Sequence, residues 1–310
     1  MAYGVGAGGI MGIALEVTSG TYVAPTKFVP FNTESLNYQQ ATNWRRSIRN
    51  SPDINFAVAG DAHVEGDLEM DATDDILPYF MMASRMTVVK TGTTPNFTYT
   101  GTPNADATPA KTLSITIVRN SQVFAYTGCV VGSFTFGMDE GTLTYACSIV
   151  GNDEATQSAP TPTWPTTTPF GAGQYIVEIP TGSTVTDTDT FEFQVEDNAE
   201  PQFRMKNTGR GAVFVKFGER EVTTSMERDF QTRTDYDAFK ALTSQSITLT
   251  ATKGANNSIV ILTPVAIKDT YEVNLSGQGD LVRGSISYMN MVGPSTATYT
   301  ITVKSQENIS

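Results

Sequence analysis

The feature that most constrains this chain is a strict alternation of apolar and polar residues in short runs separated by turn residues. SLNYQQA (35–41), HVEGDLEMDA (63–72), LSITIVR (113–119), VFAYTGCVV (123–131), SFTFGMD (133–139) and TLTYACSIV (142–150) all show it. A period of two is what a strand with one buried face requires. One run breaks the rhythm. DDILPYFMMASR (74–85) predicts a short helix, with Asp75 as N-cap so that Pro78 falls at N3, in the first turn, where a missing N–H is tolerated. Sixteen Phe and twelve Tyr supply aromatic material for sheet cores, and Thr, Ser and Val are frequent. The expected class is all-β with short helices.

The same order then recurs. FEFQVED (191–197) and QFRMKN (202–207) are strand-like, and EVTTSMERDF (221–230) alternates as HVEGDLEMDA does. TDYDAFKAL (234–242) predicts a second short helix, with Thr234 and Asp237 at capping-box spacing. SITLTAT (246–252), SIVILTPVAI (258–267), TYEVNLS (270–276) and LVRGSISYM (281–289) follow. The closing hairpins, 133–150 and 270–289, align Leu143 with Leu281. Two copies of a strand–helix–strands module is the economical reading. Between them the run 152–175 is rich in Pro and Thr and suits a linker draped over the surface, with the boundary near residue 165. The expected organisation is a first module with an N-terminal arm over 1–160, a linker over 161–175 and a second module over 176–310.

Charge narrows the functions. Twenty Lys and Arg against 32 Asp and Glu give a formal net charge of -12. That argues against a nucleic-acid clamp or an anionic-membrane binder, which need a basic face, but leaves room for DNA that must slide. Cys129 and Cys147 stand with a single histidine, His63, which makes neither a disulfide framework nor a zinc pattern. Buried free thiols and folding in a reducing cytoplasm are expected. The start, MAYGVGAGGIMGIALEV, lacks a basic leader region, and its uncharged run from Met1 to Leu15 is too short to span a bilayer. Its Gly4-x-Gly6-x-x-Gly9 matches a dinucleotide fingerprint by letter only, because no strand precedes it. No cofactor is expected, and the segment suits a flexible arm that orders against a neighbour.

The densest chemistry lies in HVEGDLEMDA. On a strand, His63, Glu65, Asp67, Glu69 and Asp71 share one face, while Val64, Gly66, Leu68, Met70 and Ala72 share the other. Neighbours on a face are about 6.6 Å apart, too far to chelate one hard cation without a second strand. The spacing overlaps the about 5–9.5 Å between glycosidase carboxylates, yet no carboxylate is marked as different from the rest. No catalytic or metal residue is assigned. In EVTTSMERDF the equivalent face carries Glu221, Thr223, Ser225, Glu227 and Asp229. The polar, partly acidic character is kept while individual groups change, which a negative surface permits and a ligand set does not. The one local excess of positive charge is WRRSIRN, with Trp44, Arg45, Arg46 and Arg49, on a long segment between strands. A solvated loop and an arm docking on an acidic neighbour are both open readings.

GIALEVTSGTYVAPTKFVPFNTESL, WRRSIRN, AGDAHVEGDLEMDATDDILPYFMMA and YTGCVVGSFTFGMDEGTLTYACSIVG together resemble the tail tube (major tail) proteins of long, non-contractile-tailed phages. The resemblance is most specific over residues 10–151 and looser in the second half. It implies two packed antiparallel sheets with a flanking helix in each module, a β-sandwich or barrel. It also implies stacked rings whose inner sheets join into a barrel around a DNA channel, with no enzyme activity and no cofactor. Rings of six modules would take three such chains. Glu65, Asp67, Glu69, Asp71, Glu221, Glu227 and Asp229 are then candidates for the lumen wall, and the loop 41–60, with Trp44, Arg45, Arg46 and Arg49, for an inter-ring contact. The implied partners are other copies of the chain, a tape measure protein and phage DNA in the lumen, and tail-completion and tail-tip proteins at the ends. The implied location is the virion tail, after assembly in the host cytoplasm. Two other classes stay open: a two-domain β-sandwich that binds glycans or decorates a virion, for which Trp164 is the exposed aromatic of interest, and a hydrolase using Glu65, Asp67 and Glu69.

Overall fold

A computed structural model describes residues 6–49, 52–205, 209–275 and 280–309. Along the chain, β1 (Ile10–Leu15), β2 (Lys27–Phe28), β3 (Thr33–Glu34), β4 (Asn37–Arg45) and β5 (Phe56–Asp71) lead to helix α1 (Leu77–Met82). Next come β6 (Met86–Thr93), β7 (Asn96–Pro103), β8 (Leu113–Arg119), β9 (Gln122–Asp139), β10 (Thr142–Gly151) and β11 (Asp153–Ala155). The second half holds β12 (Tyr175–Glu178), β13 (Thr184–Val185), β14 (Thr188–Glu196), β15 (Glu200–Gln202), β16 (Phe214–Lys216) and β17 (Glu221–Asp229). Helix α2 (Thr234–Lys240) precedes β18 (Gln245–Thr252), β19 (Ser258–Asn274), β20 (Arg283–Asn290) and β21 (Thr300–Ser305). The all-β class with short helices holds.

The principal sheet is antiparallel and ordered β4-β5-β10-β9-β14-β17-β20-β19. The neighbour order within β4-β5-β10-β9 is repeated within β14-β17-β20-β19, and a helix follows both β5 and β17. β9 and β19 also behave alike. Each begins in the outer layer, against β8 and β18 respectively, and ends in the principal sheet. The register to the following hairpin strand shifts by one residue in each, at Gly132 in β9 and at Asp269 in β19. Such an extra residue bends a strand, which lets one long strand serve two layers.

A single core fills the space between layers and crosses from one half to the other. Phe134, Phe136 and Tyr145 from the first half pack with Phe193 and Tyr299 from the second, with ring centroids 5.1–6.4 Å apart. Edge-on and tilted aromatic contacts of this kind add to the burial of area.

Several expectations change. Asp75 does not cap α1: Ile76 is the N-cap, without a side-chain bond, and Pro78 sits at N2. Asp75 instead pairs with Lys27 at 2.9 Å, and Asp74 accepts a 2.7 Å bond from Asn257. α2 likewise starts from Arg233, with Thr234 already inside the helix and no cap bond. The segment after Gly9 is not an arm, since Ile10–Leu15 pairs with β8 along its length and is mostly buried. Residues 1–5, with Gly4 of the fingerprint, lie outside the described residues. Of the described part of QFRMKN, 202–205, only Gln202 is in a strand, and Lys206 and Asn207 lie outside the described residues. The alignment of Leu143 with Leu281 also fails, since Leu143 is fully buried and Leu281 is 65% exposed. The stretch from 156 to 170 has no regular structure but is not devoid of core, because Phe170 is fully buried and its carbonyl accepts the Leu143 N–H at 3.0 Å.

Candidate functional site

The sheet face opposite the core carries the acidic row. Val64, Leu68 and Met70 of β5 are buried, and alternation turns His63, Glu65, Asp67, Glu69 and Asp71 the other way. On β17, Val222 and Met226 are buried in the same manner, so Glu221, Glu227 and Asp229 lie on that same outer face. The strands between are polar on this side: Thr144 stands opposite Asp71, Ala146 opposite Glu69 and Ser148 opposite Asp67. The proposed row is thus brought together on one sheet face.

Neutral donors hold it in place. Thr33 Oγ1 donates to Glu69 Oε2 and Asn32 Nδ2 donates to Asp71 Oδ1, each at 3.2 Å. The Asp67 N–H donates to Ser35 Oγ at 2.8 Å. His63 lies 3.2 Å from Glu65, with its ring edge-on to Phe203. At β17 the face is partly neutralised by Arg283, 2.7 Å from Asp189, 3.8 Å from Asp229 and 3.9 Å from Glu227. Pattern reasoning missed this arginine, because its partners lie on two other strands, β14 and β17. Among the described residues, no group of three or more His, Cys, Asp or Glu is placed to hold a metal ion.

Two buried carboxylates lie away from this face. Burial pushes Asp197 upward against the pull of Arg220 at 2.6 Å and Arg85 at 3.7 Å. Burial also raises Asp74, beside Asn257 and Lys253. Each ties one half of the chain to the other and faces packed protein, so neither has the open geometry of an acid/base group.

The basic segment is mainly a β-hairpin. Trp44 pairs with Ala57 and Arg45 with Phe56, so both belong to β4 and only residues 46–55 form the connection. The expectation of a loop over 41–60 is corrected accordingly. No residue of β4 is buried, Trp44 is 64% exposed, and the Arg49 guanidinium lies 5.3 Å from the centre of the Phe56 ring. Exposed apolar and cationic groups therefore share one projecting hairpin, with Arg46 and Ile48 in its connection.

A family model described as phage tail tube protein matches residues 6–303. The chain belongs to the phage tail tube protein family. No curated protein matches it. Membership in the tail tube family makes the chain a structural component of the virion tail that assembles with itself into a tube. It also points away from enzyme chemistry, in keeping with a row of carboxylates none of which is singled out by its surroundings. Among the described residues no helix is long and apolar enough to cross a membrane.

Proposed function

We propose that three chains close into a ring whose principal sheets join as one barrel, and that rings stack into the hollow tail tube of a long, non-contractile-tailed phage. The chain then counts as two tandem tube modules, 1–160 and 176–310, joined by a linker. The observation that carries this is the repeated neighbour order, β4-β5-β10-β9 and then β14-β17-β20-β19, with the two sets hydrogen-bonded edge to edge inside one chain. Closing a sheet on itself removes its edges, and open stacking of rings gives a filament.

The acidic face is the lumen wall in this reading. Glu65, Asp67, Glu69, Asp71, Glu221, Glu227 and Asp229 repel the phosphates of DNA, so the genome slides during ejection without adhering. The tape measure protein occupies the same channel before DNA does, and tail-completion and tail-tip proteins close the ends. Trp44, Arg45, Arg46 and Arg49 make the contact between stacked rings, where an acidic neighbour meets the arginines. Assembly takes place in the host cytoplasm.

Negative-stain microscopy of purified protein tests the ring: threefold rings or hollow filaments are expected, and persistent monomers at high concentration overturn it. Replacing Glu65, Asp67 and Glu69 together by Lys tests the lumen. Intact tubes with impaired DNA passage are expected, whereas loss of assembly with normal monomer folding would place those residues at an interface.

A further inference from the structure

Inside the chain the two halves meet where β9 lies beside β14. Ser133 stands opposite Glu196, Phe134 opposite Val195, Thr135 opposite Gln194 and Phe136 opposite Phe193. The Asp197 N–H donates to the Gly132 carbonyl at 2.9 Å at the end of this ladder. Two strands of the same sheet lack such a neighbour among the described residues. β4 pairs only with β5, and from Ile267 onward β19 pairs only with β20.

Two markers superpose the halves. The extra residue is Gly132 in β9 and Asp269 in β19, so Phe134 falls on Tyr271. Followed across the ladders, that offset places Leu68 on Met226. The resemblance of HVEGDLEMDA to EVTTSMERDF gives the same alignment by residue type alone. One strand further, Val195 falls on Tyr38, since each pairs with the valine that follows the first residue of its run, Val222 or Val64.

We infer that β19 of one chain pairs antiparallel with β4 of the next in the register of the internal junction: Thr270 opposite Gln39, Tyr271 opposite Tyr38 and Glu272 opposite Asn37. The inference rests on the ring reading and names the surfaces that close it. Backbone polarity agrees. The Ser35 N–H turns inward to the Asp67 carbonyl, and the Ala62 N–H opposite Gln40 turns away from β4 to the Arg210 carbonyl. Alternation then turns the N–H groups of Tyr38 and Gln40 outward. Gln40 superposes on Asp197 and Asp269 on Gly132, so the Gln40 N–H meets the Asp269 carbonyl of the neighbour.

Side chains agree too. Phe136 is fully buried at the internal junction, while its counterpart Val273 is 36% exposed at the free edge. α1 buries Leu77, Pro78, Tyr79, Phe80 and Met81, whereas α2, at the equivalent place in the second half, buries no residue. The edge left open along β19 matches in position the edge of β9 that β14 covers. An unpaired edge and a bare flank at one end of the sheet thus complement an unpaired edge at the other.

Asn37 and Glu272 are exposed, so cysteines there leave the fold intact. The outward N–H positions make this a non-hydrogen-bonded pair, with Cα atoms about 4.5 Å apart, within disulfide range. Asn37 and Thr270 are a diagonal pair about 7–8 Å apart, beyond it. Assembled Asn37→Cys/Glu272→Cys protein, oxidised with diamide, should run on a non-reducing gel as a closed species of three chains. A mixture of the two single variants should stop at dimers, and Asn37→Cys/Thr270→Cys protein should stay unlinked. Linkage at the diagonal pair, or at neither pair while microscopy shows rings, overturns the register and leaves the ring reading standing. Wild-type protein that never forms rings, with no linkage at either pair, overturns both.

Discussion

At the scale of single residues, one buried carboxylate has no cation beside it among the described residues. Glu16 is buried, and its oxygens accept bonds from Thr112 Oγ1 at 2.6 Å, Ser114 Oγ at 2.8 Å, and the N–H groups of Gly20 and Gly128 at 2.7 and 2.9 Å. Gly128 has φ of 63°, and a Cβ there would strike the Asn152 side chain, so the N–H comes from a position only glycine fills comfortably. Glu16→Leu strands those donors in the core, and we expect a loss of about 3 kcal/mol in urea unfolding, more than an average substitution. Cys129 and Cys147 are free and buried, and burial raises both thiols. Neither should react with a thiol reagent at pH 8 in native tubes, while both should react once the chain is unfolded in guanidinium; reaction in the native state would show that the core opens. The side of β5 that carries its acids was legible in the sequence, since period two depends only on neighbours in the chain. The roles of Asp74 and Asp75 were not, because Lys27, Lys253 and Asn257, which claim them, are distant in sequence.

Among the elements, the halves are clamped as well as paired. Asp197, just past β14, holds Arg220 and Arg85, while Arg85 donates to the Gly218 carbonyl and Arg220 to the Arg85 carbonyl. Asp197→Ala leaves two largely buried guanidinium groups without their carboxylate, and we expect a loss of about 3–5 kcal/mol, read from thermal or urea unfolding of the monomer. The two closing hairpins show where the halves differ despite their shared strand order. β9 and β10 join through a tight turn at Glu140 and Gly141, whereas Asn274 and Arg283 are separated by a longer connection. The longer connection adds two residues, so Leu143 falls on Val282 rather than on Leu281. The bend at Gly132 and Asp269 was invisible in the sequence: two runs each read as a separate strand are one strand passing between layers. β1 and β6 escaped notice because their alternation is weak, although NFTYTG of β7 and TITV of β21 do alternate.

On the scale of the whole molecule, the edges decide the behaviour. Gln40 is exposed, and Gln40→Pro removes an outward N–H from an edge strand, a place where proline is tolerated, so the monomer should fold and melt normally yet fail to form rings in the microscope. Gln39→Pro removes an inward N–H and should lower monomer stability by about 3 kcal/mol. Equal loss of ring formation and of stability in both variants would mean that β4 is not a free edge. The junction between β9 and β14 carries a kinetic consequence as well. In the proposed ring, three chains need two encounters where six separate modules would need five, because every second joint is made when the chain folds. Tethering supplies that joint at the high local concentration of a short connection, on the millimolar scale, rather than at the concentration of free protein. The onset of assembly on dilution should therefore follow a third-order rather than a sixth-order dependence, which lets tubes form while the protein is still scarce.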